Sequence, residues 1–298
     1  MFLEVKNFET DWSDLADRVL RIRITRWNPS DALDSGEAFF NLVGIVRATL
    51  KSPVACGCVV EFTNDDDLPL ATFEQFCKTL ATELGHILQE TRNTNAVPMP
   101  SKESVYINLD PLKNRESLLH FGRPERSWPL HTDRALYEET GDFVLVGKMI
   151  EHGLEGGKIR LLHIEDFDDL DRFLQNKYAF YNLEWKGDEN LAPIDKFNDA
   201  AKSKGVVAPV FNSIDSLISI RFTDSRFRRP QCIEQLNMLR DLSRSLEQNS
   251  DRLDGFAMRI KTAYIINNRR VLHGRSGFKV LSSDYYRRLV RFCGLLGS

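Results

Sequence analysis

A chain of 298 residues, 42% of them hydrophobic, can bury one sizeable core, and it is read here as a single domain. With 28% charged residues and a net charge of −3, it has no overall positive field to gather phosphate backbones or anionic lipid, so nucleic acid and membrane are not expected partners. No run approaches the roughly 18 apolar residues of a membrane span, residues 1–6 lack a signal-peptide pattern, and five cysteines without CxxC spacing argue against a disulfide framework or structural zinc; a cytoplasmic protein is expected.

The first fifty residues mix charged and apolar side chains without a clear period, and a helical and mixed part is expected over about residues 1–100. Residues 54–62 are rich in β-branched side chains and read as a strand, in which Cys56 and Cys58 serve as small hydrophobes. The acidic run after it, Asn64-Asp65-Asp66-Asp67, lacks the glycine and distal glutamate of a calcium loop and reads as a solvated turn. Over 70–90, Phe73, Phe76, Leu80, Leu84, Ile87 and Leu88 recur at three and four, which predicts an amphipathic helix covering one face of a sheet.

Short strands are predicted at 105–108, 143–146, 159–163, 206–211, 217–222 and 263–266, with helices at 167–175 and 232–246. Gly156-Gly157 and Gly274 mark turns, and the polar stretch 186–199 marks a long insertion. Strands dominate the second half, with helices before and between them. The expected architecture is therefore a β-sandwich or barrel flanked by helices, its core at about 101–298 and its insertion at about 165–205.

The chemistry concentrates in Leu130-His131-Thr132-Asp133, in Asn267-Asn268-Arg269-Arg270-Val271-Leu272-His273-Gly274-Arg275, and in the basic run Arg287-Arg288-Leu289-Val290-Arg291. In a strand, residues i and i+2 project from one face, so His131 and Asp133 can reach one ion while Thr132 points away. Two neutral imidazoles and a carboxylate suit iron(II), manganese or zinc, and three ligands leave positions open for exchange. A lone His-x-Asp is a short motif that chance supplies readily, and a lone histidine is more often a hydrogen-bonded core or surface residue. Order adds weight: the His-x-Asp near a strand is followed by a later strand ending in His-Gly, then by arginines on the next strand. Arg287 and Arg291 lie four apart, again on one strand face, where guanidinium forks could grip a dicarboxylic cofactor; a solvated basic face is the plain alternative.

Together with Val144-Leu145-Val146-Gly147-Lys148-Met149, Leu154-Glu155-Gly156-Gly157, Leu161-Leu162-His163-Ile164-Glu165-Asp166 and Phe278, these segments resemble the iron(II)/2-oxoglutarate-dependent oxygenases of the taurine dioxygenase and clavaminate synthase superfamily. They resemble in particular the glutarate 2-hydroxylase group induced by carbon starvation, over about residues 127–294. The resemblance implies a mainly β fold with flanking helices, a double-stranded β-helix or jelly roll with the metal inside one end. It implies iron(II) held by His131, Asp133 and His273, with 2-oxoglutarate and O2 as cosubstrates. Arg287 would pair with the far carboxylate of 2-oxoglutarate, and Arg291 would sit beside it or touch the substrate. The implied reaction is C–H hydroxylation coupled to decarboxylation of 2-oxoglutarate to succinate and CO2, and the retained Asp133 favours hydroxylation over halogenation. One position departs from the pattern: where relatives carry Thr or Ser two residues after the Gly-Gly pair, this chain has Ile159. Either Lys158 or Arg160 supplies the missing donor, or the register of this strand differs.

Within that group one branch hydroxylates glutarate and a sister branch free lysine, so the resemblance implies a small carboxylate or amino acid. Candidate substrate residues are Tyr106, Asn108, Tyr137, Glu138, Glu139, Asp142, Arg221 and Asp224. A buried Arg221 would fit a carboxylate and the acidic loop 138–142 an ammonium. That loop places free L-lysine first, other amino acids second and glutarate third, with an exposed acidic loop as the plain alternative. From other classes, a non-catalytic jelly-roll protein that binds a metal or ligand, or a zinc hydrolase, has no need for a dicarboxylate clamp. A homo-oligomer is compatible with the chain, and residues 183–206 form a lid candidate by length and polarity.

Overall fold

The computed structural model describes residues 5–12, 18–27, 36–62, 68–88, 105–109, 124–186, 205–214, 216–223 and 228–297. Its strands in chain order are β1 (Val5–Trp12), β2 (Val19–Trp27), β3 (Gly57–Phe62), β4 (Gly85–Ile87), β5 (Val105–Leu109), β6 (Trp128–His131), β7 (Phe143–His152), β8 (Leu154–Gly156) and β9 (Ile159–His163). They continue with β10 (Leu183–Trp185), β11 (Val206–Ala208), β12 (Phe211–Ile214), β13 (Leu217–Ile220), β14 (Arg228–Arg229), β15 (Thr262–Asn267), β16 (Val271–Arg275), β17 (Phe278–Val280) and β18 (Tyr286–Leu296). The helices are α1 (Gly36–Lys51), α2 (Leu70–Leu84), α3 (Leu170–Leu174) and α4 (Ile233–Arg252). No described helix is long and apolar enough to cross a membrane.

The main sheet has the order β1-β2-β3-β15-β7-β18-β4, with β5 also paired to β18. A second sheet, β6-β16-β9, faces it, and three small sheets join β11-β10-β14, β12-β13 and β17-β8. The period of two along each strand sorts its side chains between layers. Ala263 and Ile265 of β15, Phe143 and Leu145 of β7, and Val290 and Phe292 of β18 pack outward against Leu42, Val46, Phe73, Phe76 and Leu80 of α1 and α2. Their neighbours Tyr264, Ile266, Val144, Val146, Leu289 and Cys293 point inward and meet Ile159, Leu161 and Val271 of the second sheet. The outer face of that second sheet, through Leu130, Leu162 and Leu272, lies on Met238, Leu239, Leu242 and Leu246 of α4. Strands buried on both faces read as unbroken apolar runs such as Phe143-Val144-Leu145-Val146 rather than as alternation. Two facing sheets with helices outside form the expected jelly roll, and the inward layer is where the site lies.

Several element boundaries differ from the sequence reading. The helix predicted over 70–90 ends at Leu84, because residues 85–87 pair with the end of β18 instead. Gly85 permits this: a Cβ there would stand 2.0 Å from the Leu295 carbonyl oxygen. The helix predicted at 232–246 runs on to Arg252, and the strand predicted over 206–211 is two separate strands. The described residues among the first fifty form β1, β2 and α1, and no local period announces that β2 pairs with β3 in parallel.

Candidate active site

Strands β6 and β16 run antiparallel with His131 directly opposite His273, their ring centroids 4.3 Å apart. Gly274 makes this approach possible, since a Cβ there would lie 2.6 Å from the Trp128 carbonyl oxygen. Asp133 is not on the strand, as the sequence spacing suggested: β6 ends at His131, and the carboxylate reaches the same side from the following turn, where Arg134 has φ 58°. His131 Nε2 and His273 Nε2 lie 3.6 and 3.9 Å from Asp133 Oδ1. One donor atom from each of the three lies within 4.8 Å of the others, so the spacing of a three-ligand metal face is present.

The electrostatics suit a cation. Burial alone would raise the Asp133 carboxyl, but Arg291, 3.2 Å from both oxygens, overrides it and holds the group well below the usual carboxylate range. Burial pushes His273 down to about 3, with His131 adding to the effect, so its imidazole is neutral. His131 Nδ1 lies 2.9 Å from the Pro129 carbonyl oxygen, which can only accept; in the neutral ring Nδ1 therefore carries the proton and Nε2 is the atom left to bind a metal. Trp128 stacks on the His131 ring at 5.2 Å and 9° and limits its rotation. A neutral His, a second His with a fixed tautomer and an ionised carboxylate converging on one point fit a divalent iron, manganese or zinc ion.

Two side chains outside the ligand set hold the His-Thr-Asp turn in place. Thr132 exchanges hydrogen bonds with Phe222: its Oγ1 accepts from the Phe222 amide at 3.0 Å, and its amide donates to the Phe222 carbonyl at 2.8 Å. Asn268, 1% exposed, accepts from the Asp133 amide at 2.9 Å and donates to the carbonyls of Asp133 at 3.1 Å and Thr140 at 2.7 Å. Asn268 has no role assigned from the sequence; the available signal is the polar pair Asn267-Asn268 directly after the apolar run 263–266. Replacing it by Ala orphans buried backbone groups at about 1–3 kcal/mol each. Asn268→Ala is expected to unfold at lower temperature and to bind iron(II) about tenfold more weakly, as losses of ligand-supporting contacts do. Metal titration checks this, and unchanged iron affinity would reduce Asn268 to a loop anchor.

Beside the triad is a pocket walled by Trp128, Val146, Ile159, Tyr264, Leu289, Arg275, Arg287 and Arg291. Arg287 and Arg291 face it from β18 as the spacing predicted. Arg287, 4% exposed, lies 4.9 Å over the Phe278 ring, with its Nε 3.3 Å from Glu151 Oε2. Arg275, which the sequence reading left without a role, is 3% exposed and lies 4.7 Å over the same ring. Its Nη1 donates to the carbonyls of Pro124 and Arg126. Burial, and then the nearby Arg287, pushes Arg275 down to about 9, and burial lowers Arg287 as well; both stay cationic at neutral pH.

Of the other predicted residues whose side chains the structure describes, only Ile159 is brought to the pocket. Ile159 lines the wall with an aliphatic side chain, so no hydroxyl is supplied from this position. Neither proposed replacement reaches it: Lys158 is exposed, and Arg160 faces the opposite way, onto Ser250 at 3.2 Å and Asp251 at 3.5 Å of α4. Arg221 donates to the carbonyls of Ala135, Tyr137 and Glu138, so it staples the loop instead of meeting a substrate. Asp142 pairs with Arg269 and accepts from the Leu296 amide, Glu138 and Glu139 are exposed, and Tyr137 carries Arg134 over its ring at 4.0 Å. Tyr106 and Asn108 lie on β5, but their side chains fall outside the described residues, as does Asp224. The ends of the lid candidate form β10 and β11, paired in a small sheet, and residues 187–204 fall outside the description.

A family model described as CsiD matches residues 21–296. A glutarate 2-hydroxylase of Klebsiella pneumoniae (strain 342) is 32% identical over 214 residues, 71% of this chain and 60% of the relative. One of Pseudomonas putida (strain GB-1) is 30% identical over 179 residues, 58% and 49% of the two chains. The chain thus spans about half to three fifths of the length of these curated relatives. Among solved structures, a taurine dioxygenase from Burkholderia xenovorans has a TM-score of 0.60 at 13% identity, covering 98% of this chain and 90% of that one. A variant of the non-heme iron oxygenase OrfP in complex with (3S)-hydroxy-L-Arg has a TM-score of 0.59 at 14% identity, covering 88% and 86%. At such identity these structures establish the shared fold.

Proposed function

We propose that this chain, which belongs to the CsiD family, is an iron(II)- and 2-oxoglutarate-dependent hydroxylase whose substrate is a small dicarboxylate, glutarate ahead of any free amino acid. The observation that carries the choice is the charge of the pocket wall. Arg275, Arg287 and Arg291 line it, and Asp133, a metal ligand, is the only acidic side chain among the described lining residues. The preference for lysine rested on the acidic loop, and that loop is turned to Arg269 and to solvent. An ammonium group here would meet like charges, whereas carboxylates meet guanidinium forks. The name of the relatives, glutarate 2-hydroxylase, supports the same reading.

In this reading His131, Asp133 and His273 hold the iron, and Arg287 takes the far carboxylate of 2-oxoglutarate. When bound, iron(II) with 2-oxoglutarate and O2 supplies the oxidation, yielding succinate and CO2 while a hydroxyl is placed on a substrate carbon. The protein's share is orientation and exclusion of water. Arg291, held against Asp133, places an anionic group next to the ligand face. Leu289 separates the two arginines, and Val146, Ile159 and Tyr264 keep the wall between them apolar.

With iron(II), ascorbate and 2-oxoglutarate, glutarate is expected to stimulate succinate formation and to yield a product one oxygen heavier by mass spectrometry, while lysine leaves only the uncoupled background. Faster turnover of lysine would overturn the substrate assignment. Silence across a panel of dicarboxylates and amino acids would overturn the hydroxylase.

A further inference from the structure

The pairing of β7 with β18 slips by one residue: Ile150 lies opposite Arg288 and Lys148 opposite Leu289, which leaves Met149 as the extra residue of a bulge. Met149 and Ile150 both pack into the outer core. Without the slip, Lys148 and Glu151, three apart, would face opposite sides of the sheet; with it, both face inward. Lys148, 5% exposed, donates to Glu151 Oε1 at 2.5 Å and to the Met258 carbonyl at 2.7 Å. Glu151 Oε2 stands 3.3 Å from Arg287 Nε without the alignment of a hydrogen bond, and both atoms are buried and otherwise unpartnered. A row of three charges, Lys148, Glu151 and Arg287, thus ends at the pocket wall.

Such a row is a poor source of stability, because buried ion pairs recover little more than their desolvation cost. Its geometry suits positioning. The carboxylate meets the guanidinium at Nε, leaving the two Nη groups as the fork that a ligand carboxylate requires. Lys148 in turn fixes the Glu151 carboxylate, so the position of the guanidinium depends on the length and charge of that side chain. We propose that Glu151 is a positioning residue for Arg287, and that the Lys148–Glu151 brace sets the length of the 2-oxo dicarboxylic acid the pocket accepts. The inference rests on the reading in which Arg287 grips the cosubstrate.

The test is anaerobic calorimetric binding of 2-oxoglutarate and of 2-oxoadipate, one methylene longer, to the iron(II)-loaded protein. Glu151→Asp lets the fork retreat by about one carbon–carbon bond, ~1.5 Å. It is expected to weaken 2-oxoglutarate about tenfold and to shift the ratio of the two affinities toward 2-oxoadipate by tenfold or more, an effect of about 1.4 kcal/mol. KM for 2-oxoglutarate should rise while kcat at saturation holds. Glu151→Gln keeps the length and loses the charge, so it should weaken both acids and leave their ratio alone. It also decides the matter if Glu151→Asp does not fold, because unchanged 2-oxoglutarate affinity in Glu151→Gln overturns the proposal. So does a Glu151→Asp variant with both affinities unchanged, or one that loses both acids, iron and thermal stability in parallel, which marks a structural role only. Arg287→Lys separates the two readings: if it leaves 2-oxoglutarate binding intact, the cosubstrate site itself is misplaced, whatever Glu151 does.

Discussion

Asp133→Ala is expected to abolish iron(II) binding and, with it, turnover, by at least about a thousandfold in kcat/KM or roughly 4 kcal/mol. The site has three protein donors, and Asp133 is the anion among them. Without it, two imidazoles and the Arg291 guanidinium remain, and that guanidinium, now lying 3.2 Å from both carboxylate oxygens, would face the dication directly. The same change removes the Asp133 partner of the half-buried Arg291, so only part of the about 3–5 kcal/mol lost on breaking a fully buried pair is expected as destabilisation. Asp133→Asn keeps the shape and part of the hydrogen bonding, so its unfolding temperature should stay closer to that of the parent while iron affinity is still lost. Metal titration, circular dichroism and succinate assays on the two variants separate ligand loss from unfolding. Full activity in either removes Asp133 from the ligand set.

Arg287→Met should weaken 2-oxoglutarate at least a hundredfold. Each charge-assisted hydrogen bond to a buried carboxylate contributes about 1.5–3 kcal/mol, and a bidentate fork makes two. Loss of the guanidinium leaves Glu151 with Lys148 at 2.5 Å, so the carboxylate keeps a partner and the fold should survive. Arg287→Lys restores a point charge without the planar fork and should recover only part of the affinity. Calorimetry against 2-oxoglutarate measures both, and parental affinity in Arg287→Met would exclude the clamp.

How far the site is legible in the sequence depends on what each residue needs. His131, Asp133 and His273 are readable because metal coordination demands particular donor types, and Arg287 and Arg291 because their spacing matches one face of a strand. Asn268 and Glu151 were not readable. Asn268 acts through backbone groups more than a hundred residues earlier, and Glu151 faces inward against Arg287 because one residue bulges out of β7. The acidic loop misled the substrate reading for a related reason: its charges look available in one dimension, while Asp142 is taken by Arg269 and Arg221 is spent on carbonyls.

Sequence by itself determined the class of fold and the chemistry of the ligands, since apolar periodicity and donor type are local properties of the chain. Tertiary structure alone decided which charges face the pocket, because a buried charge must find its partner wherever folding brings one. Here that partnering leaves the pocket to Arg275, Arg287 and Arg291, with Asp133 beside the histidines.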